Sequence, residues 1–210
     1  MTPDELAALH PRLYHLTDPA NLSSIRAHGL LSPEAMCDRC GLEGEKRDAI
    51  LARRRPAATA VCDGFLVNDN APLSEARLRR VLDDGLSPED WLRMLNGRVF
   101  FWTDAHRAER LRNARNNRDR DRVLLAFDTL SLAHAHASRM AICPINSGAT
   151  VHAPPRRGRH TFAPVEGLDY GSWRRARRER GYKKGLDAIQ EVTVLFAVPD
   201  AAAHLLEVAP

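Results

Sequence analysis

The run Glu191-Val192-Thr193-Val194-Leu195-Phe196-Ala197-Val198 constrains the fold of this chain more than any other segment. Its β-branched and aliphatic residues are the composition of a buried strand. Glu191 is the only acid between Ile189 and Pro199. A carboxylate at the mouth of such a strand is poorly hydrated and held in place, as a catalytic acid must be. The same residue also reads as a strand-start Glu paired with a nearby Arg, and the rest of the chain has to choose between the two. Directly before it lies the most basic stretch of the protein, Trp173 to Lys184.

At 210 residues, 44% of them hydrophobic and 28% charged, the chain suits one soluble α+β domain over 1–210 with a mainly helical insertion at 44–96. The formal net charge of +4 is unevenly spread. Arg174, Arg175, Arg177, Arg178, Arg180, Lys183 and Lys184 are opposed only by Glu179. Arg112, Arg115, Arg118, Arg120 and Arg122 form a second cluster, diluted by Asp119 and Asp121. Such patches suit a polyanion: nucleic acid, nucleotide phosphates or an acidic protein. The second cluster reads equally well as a solvated helix face. No apolar run is long enough to cross a bilayer and the N-terminus is acidic, so the expectation is a cytoplasmic protein without membrane contact. Cys37 and Cys40 form a lone C-x-x-C, with Cys62 and Cys143 apart from it. No second ligand pair stands at readable spacing, so no metal is expected and the thiols are expected to be reduced.

Local signals divide the chain into a helical first half and a β-rich second half. Short helices are expected from Asp4, from Asn21 to His28 with Gly29 at the stop, and from Ser32-Pro33-Glu34 onward. Helices are also expected over Lys46 to Arg55, Ser74 to Leu82 and from Ser87-Pro88 through Leu95, with a short strand or loop between Ala60 and Asn70. Strands are expected at Leu13 to Thr17, Arg98 to Thr103, Arg122 to Thr129, Met140 to Ile142 and Glu191 to Val198, with a short edge strand in the tail. Their irregular spacing, without βαβ alternation, excludes a sandwich and a doubly wound sheet and points to a mixed-sheet α+β fold.

Several residues could carry chemistry. His15, in Tyr14-His15-Leu16-Thr17, sits at a strand end just before a turn, where a ring nitrogen can meet a ribose hydroxyl. Phe100, Phe101 and Trp102 offer an aromatic to both faces of a strand; one face must be core and the other could stack a flat ring. Asn146-Ser147-Gly148 lies in a loop where glycine permits close approach of a ligand. Asn113, Arg115 and Arg118 fall on a predicted helix without all sharing one face.

The order of these features resembles the DarT-like ADP-ribosyltransferases. The landmarks are Tyr14-His15-Leu16-Thr17 with His28-Gly29-Leu30-Leu31-Ser32, the aromatic strand Val99 to Thr103, and Glu191 opening the last long strand. The chain also resembles a bacterial family of no established activity with an LNGRVFFW core (Leu95 to Trp102), an NAR helix (Asn113 to Arg115) and an INSG loop (Ile145 to Gly148). The first resemblance implies an ADP-ribosyltransferase-like sheet and NAD as co-substrate. His15 would then bind the nicotinamide-side ribose, with Thr17 or nearby backbone helping to seat the carboxamide and Asn146 and Ser147 binding the cofactor. Phe101 or Trp102 would line or stack on the nicotinamide. Glu191 would orient the ribose and stabilise the positive charge that develops as nicotinamide leaves. The pyrophosphate would need an arginine, with Arg98, Arg115 and Arg118 the candidates. The segment Tyr170 to Gln190, where these enzymes select their acceptor, carries Trp173, Arg174, Arg175, Arg177, Arg178, Tyr182, Lys183 and Lys184. Cations interleaved with aromatics suit single-stranded DNA or RNA.

The resemblance thus implies an NAD-dependent transferase modifying nucleic acid, of the kind found as toxins or defence enzymes, with an antitoxin protein a further candidate partner. Two other readings remain open: transfer of an RNA 2′-phosphate to NAD, and a nucleotide- or nucleic-acid-binding module without turnover. Glu191 argues against the last, because a binder of an anionic ligand gains nothing from a buried carboxylate.

Overall fold

The computed structural model describes residues 1–62, 64–112, 121–151, 153–179 and 189–209. The first part of the chain forms α1 (Pro3–Leu9), β1 (Arg12–Thr17), α2 (Leu22–His28), β2 (Leu30–Leu31) and α3 (Pro33–Arg39). Residues 44–96, expected as an insertion, follow with α4 (Gly44–Leu51), the hairpin β3 (Thr59–Cys62) and β4 (Phe65–Val67), α5 (Glu75–Val81) and α6 (Pro88–Asn96). Next come β5 (Arg98–Trp102), α7 (Ala105–Arg112), β6 (Val123–Asp128), α8 (Thr129–His136), β7 (Met140–Cys143) and β8 (Ala163–Pro164). The chain closes with α9 (Tyr170–Glu179), β9 (Glu191–Leu195), β10 (Ala197–Val198), α10 (Ala201–His204) and β11 (Leu205–Ala209).

The fold is α+β, built on a seven-stranded sheet in the order β11-β6-β1-β5-β9-β7-β8. Every ladder between these strands is antiparallel, where a mixed sheet was expected. The tail strand is present as the edge strand β11. Side-chain alternation divides the sheet residues between two cores. Leu13, Phe101, Leu125, Phe127, Ile142, Val192 and Val194 join Leu6 and Leu132 in the larger one. On the opposite face Ala141 and Cys143 meet Trp91, Leu92 and Leu95 of α6, so the insertion is what covers that face. The α6 helix begins at a capping box, in which the Ser87 hydroxyl accepts from the Asp90 N–H and the Asp90 carboxylate accepts from the Ser87 N–H.

Two expectations are corrected. The strand expected over Glu191–Val198 is broken at Phe196, which takes a left-handed φ of 66°. Its N–H donates to the Gly97 carbonyl and its own carbonyl accepts from the Ser32 N–H. Arg139 donates to the Leu195 and Ala197 carbonyls at 3.2 and 2.8 Å, clamping both sides of the break. Past the break β10 leaves the main sheet and pairs with β2. That pairing brings Val198 so close to Gly29 that a Cβ there would lie 2.1 Å from the Val198 carbonyl oxygen. Second, Cys40 and Cys62 are joined in a disulfide rather than reduced; their Cα atoms are 6.1 Å apart. The bridge ties the end of α3 to the hairpin over a small core of Cys37, Ile50, Leu51 and Val67.

Candidate functional site

The strands β1 and β5 share a single register pair, Tyr14 with Trp102, and then part. His15 fills the start of the opening: its Nδ1 lies 2.9 Å from the Phe100 carbonyl oxygen and its ring packs 5.9 Å from that of Phe101. Beyond it a cavity of about 300 Å³ opens, at the small end of the range for small-molecule sites. The cavity draws on both faces of the sheet. Ile25 and Leu30 line it from the side of the larger core, and Leu92, Leu95 and Phe100 from the side of the insertion.

Glu191 is placed by two neighbours in register, Trp102 on β5 and Cys143 on β7. The approach to β9 is secured by the Thr103 hydroxyl donating to the Ile189 carbonyl at 2.7 Å and by the Gln190 N–H donating to the Cys143 carbonyl at 2.8 Å. The carboxylate is 4% exposed. It accepts from the Ser147 hydroxyl at 2.7 Å, and the Ser147 N–H lies 3.2 and 3.3 Å from its two oxygens. Burial pushes the Glu191 carboxyl up to about 7, and it does so against the Ser147 bonds, the Cys143 thiol and the Arg157 charge, all of which favour the anion. Near neutrality this group is poised between its two protonation states. Burial, with Glu191 beside it, also raises the Cys143 thiol, which stays protonated and donates to the Ile145 carbonyl at 3.3 Å.

Burial lowers the pKa of His15, and its bond to Phe100 only partly opposes this. The ring is therefore neutral at pH 7. A carbonyl can only accept, so Nδ1 carries the proton and Nε2 is left as an acceptor. A neutral imidazole acceptor and a buried carboxylate line the same cavity, together with Thr17, Arg98, Phe100, Trp102, Asn146 and Ser147.

The predicted site residues divide accordingly. Phe101 lines the cavity but is fully buried against Phe127 and His15, so any stacking role passes to Trp102 or Phe100. Ser147 faces Glu191 rather than open space, which makes it a positioning residue. A Cβ at Gly148 would meet only the Asn146 side chain, at 3.9 Å, so nothing among the described residues requires glycine there. Arg98 lines the cavity, and Arg115 and Arg118 lie outside the described residues. Within the segment before Glu191, Tyr170–Glu179 is helical. Trp173 packs against the larger core and stacks on Tyr170 at 5.6 Å, and Arg177 is buried over the Trp173 ring, so neither faces outward as expected. Arg174, Arg175 and Arg178 are exposed, while Tyr182, Lys183 and Lys184 lie outside the described residues.

Sequence reasoning missed two positioning residues and a cavity-lining arginine. Arg157 is fully buried, and its Nη1 donates to the Ser147 and Ala149 carbonyls at 3.0 Å each, fixing the loop that holds Glu191. Asn21 clamps the hairpin by pairing with both backbone groups of Leu66 at 2.8 Å. Arg55 lines the cavity from the insertion. Arg157 sits in a Pro/Arg-rich stretch with no periodicity, so no local signal marks it. Away from the cavity, His136, Asp200 and His204 bring ligand-type atoms within 4.8 Å of one another. Arg139 can only donate, so His136 Nδ1 accepts from it and the ring proton on Nε2 points at Asp200. That is the protonation of a hydrogen-bonded clamp between α8 and α10.

Fold and site together define an α+β protein with a cavity opened between two strands around a buried carboxylate and a neutral histidine. The chain belongs to the family of unknown function DUF7002, whose model matches residues 11–205. Nothing among the curated proteins and nothing among the solved structures matches it. No helix among the described residues is long and apolar enough to cross a membrane.

Proposed function

We propose that this chain is an NAD-dependent ADP-ribosyltransferase with a nucleic acid as acceptor. The observation that carries the reading is the meeting of Glu191 and His15 on one cavity where β1 and β5 part. The residues present fit a dinucleotide. Trp102 and Phe100 offer aromatic surface, and the buried Nε of Arg98 has no hydrogen-bond partner among the described residues.

When bound, NAD supplies an ADP-ribosyl group whose bond to nicotinamide breaks heterolytically; the electron pair leaves with nicotinamide and the acceptor gains the new bond as it loses a proton. Glu191, as the carboxylate, stabilises the positive charge that develops at the anomeric carbon, and does so strongly because the site is nearly dry. Its raised pKa suits it to take the acceptor proton. The positive charge of a bound nicotinamide ring beside it draws its pKa back down, so binding itself favours the active form. His15 Nε2 accepts a hydrogen bond from a ribose hydroxyl while Phe100 fixes the tautomer. Ser147 and Arg157 hold the carboxylate and its loop. The exposed Arg174, Arg175 and Arg178 of α9, which leads by the chain into β9, supply the positive charge that a nucleic acid backbone requires.

The test is incubation with NAD and single-stranded DNA, RNA or protein, following nicotinamide release and label transfer in the wild type, Glu191→Gln and His15→Ala. Release that persists in Glu191→Gln overturns the mechanism. Transfer to protein but not to nucleic acid overturns the acceptor. Arg55 and Arg98 in the cavity also suit transfer of an RNA 2′-phosphate to NAD; loss of a phosphate from the RNA, in place of a gain of ADP-ribose, identifies that reaction.

A further inference from the structure

We propose that Arg55 is an anion-binding residue, set into the cavity by the 44–96 insertion, and that with Arg98 it takes a phosphate group of the bound nucleotide. The assignment rests on the NAD reading and extends it to a residue that no local sequence signal marks. Arg55 is 6% exposed and lines the cavity. Its Nη1 donates to the Ile50 carbonyl, its Nη2 to Asn96 Oδ1 at 2.9 Å and its Nε to the Asn68 carbonyl at 3.3 Å. Asn96 is itself oriented, its amide donating to the Leu51 and Ile50 carbonyls at 2.8 and 3.3 Å. Every acceptor in this set is neutral. Asp69 acts on Arg55 through space, while its carboxylate accepts from the Ala71 N–H at 3.1 Å.

A guanidinium withdrawn from water onto neutral acceptors loses hydration that they replace only in part. Arg98 shows the same imbalance. Its guanidinium lies 4.4 Å from the Phe162 ring centre and forms no ion pair among the described residues. Asp69 lines the same cavity and acts on Arg55, so the two cations leave an excess of positive charge that a phosphate group neutralises.

Along the backbone, the start of β5 also stands apart from the position opposite Glu191. Arg98 opens β5 and Trp102, opposite Glu191, closes it. Four residues of strand put about 13 Å between the two positions. Asn96, which holds Arg55, lies just before Arg98. The cavity therefore carries Arg55 and Arg98, with Asp69 acting on Arg55, as well as the Glu191 carboxylate, a charge set that matches a ligand with both a phosphate and a developing positive charge. β5 supplies Arg98 and residues 44–96 supply Arg55, so that segment is part of the site.

The test is titration calorimetry with ADP, adenosine, nicotinamide and inorganic pyrophosphate on the full chain, comparing wild type, Arg55→Gln and Arg55→Lys, each checked for an intact thermal transition. The wild type is expected to prefer ADP over adenosine at least tenfold, with a salt-dependent affinity. Arg55→Gln is expected to collapse that preference and flatten the salt dependence while leaving adenosine binding within about twofold. Arg55→Lys, which keeps the charge and loses the three-way clamp, is expected to retain part of the preference. A buttress with no ligand contact would weaken ADP and adenosine equally in both variants, and that result overturns the assignment. Pyrophosphate binding that depends on Arg55, without binding of ADP or nicotinamide, would uphold the anion site and remove the NAD reading. No binding of any of the four probes overturns both.

Discussion

Replacing Glu191 by Gln tests the electrostatics of the site without a ligand. The folded-state pKa is raised from the ordinary 4.5 to about 7. Folding therefore takes up a proton, and the stability gained is present in full below pH 4.5 and lost as pH rises through 7. At 1.36 kcal/mol per pKa unit the loss amounts to about 3 kcal/mol. The group is almost fully buried, so solvent screening removes little of it. Gln is nearly isosteric, can still accept from the Ser147 N–H, and does not titrate. The difference in unfolding free energy between the Glu191→Gln variant and the wild type should therefore shift in favour of the variant by about 3 kcal/mol between pH 4 and pH 8, and other titrating groups cancel in the comparison. In thermal terms the variant should gain roughly 6–12 °C on the wild type over the same range, at about 2–4 °C per kcal/mol for a chain of this size. Urea denaturation at closely spaced pH values reads the effect. A difference that stays flat across this range would refute the claim that burial, opposed by Ser147 and Arg157, sets the state of this carboxylate. Under the proposed mechanism the sign for turnover is opposite: kcat/KM should rise with pH through about 7, as the free protein gains the carboxylate form.

Ser147→Ala removes the hydroxyl bond that favours the anion, so the midpoint of the pH-dependent stability should move above that of the wild type in the same denaturation series. Asn21→Ala leaves both backbone groups of Leu66 without their partner and should cost about 1–3 kcal/mol, with hydrogen exchange at the Leu66 amide accelerating more than in β6. Cys62→Ser should cost about 3 kcal/mol, the chain-entropy value for a bridge spanning 22 residues, and should match the wild type under reductant. A wild type whose urea midpoint is indifferent to reductant would show that the bridge is not formed in solution.

Much of the architecture is legible along the chain because its signals are local. Gly29 ends α2 and Ser32 caps α3 where expected, and Ser87-Pro88 opens α6. The apolar run after Glu191 is a central strand. The break at Phe196 is not legible, since it depends on Gly97, Ser32 and Arg139, all distant in sequence. The outward role expected of Trp173 fails for a related reason: an amphipathic basic helix buries its apolar stripe, and Trp173 lies on it.

The site follows the same division. The residue types were readable: a histidine at the end of the first strand, aromatics in β5 and an acid at the mouth of β9. Composition and period alone place each on its element. What makes them a site is decided by pairing across the sheet, because β1 holds β5 at one position and then leaves it, opening a cavity beside residues more than a hundred positions apart. Tertiary structure also decides the charge states. The pKa of Glu191 and the protonation of His15 follow from how much water their neighbours exclude, and Arg55 acquires its place only when Asn68 and Asn96 close around it. Desolvation is a property of the assembled core, and no stretch of sequence carries it.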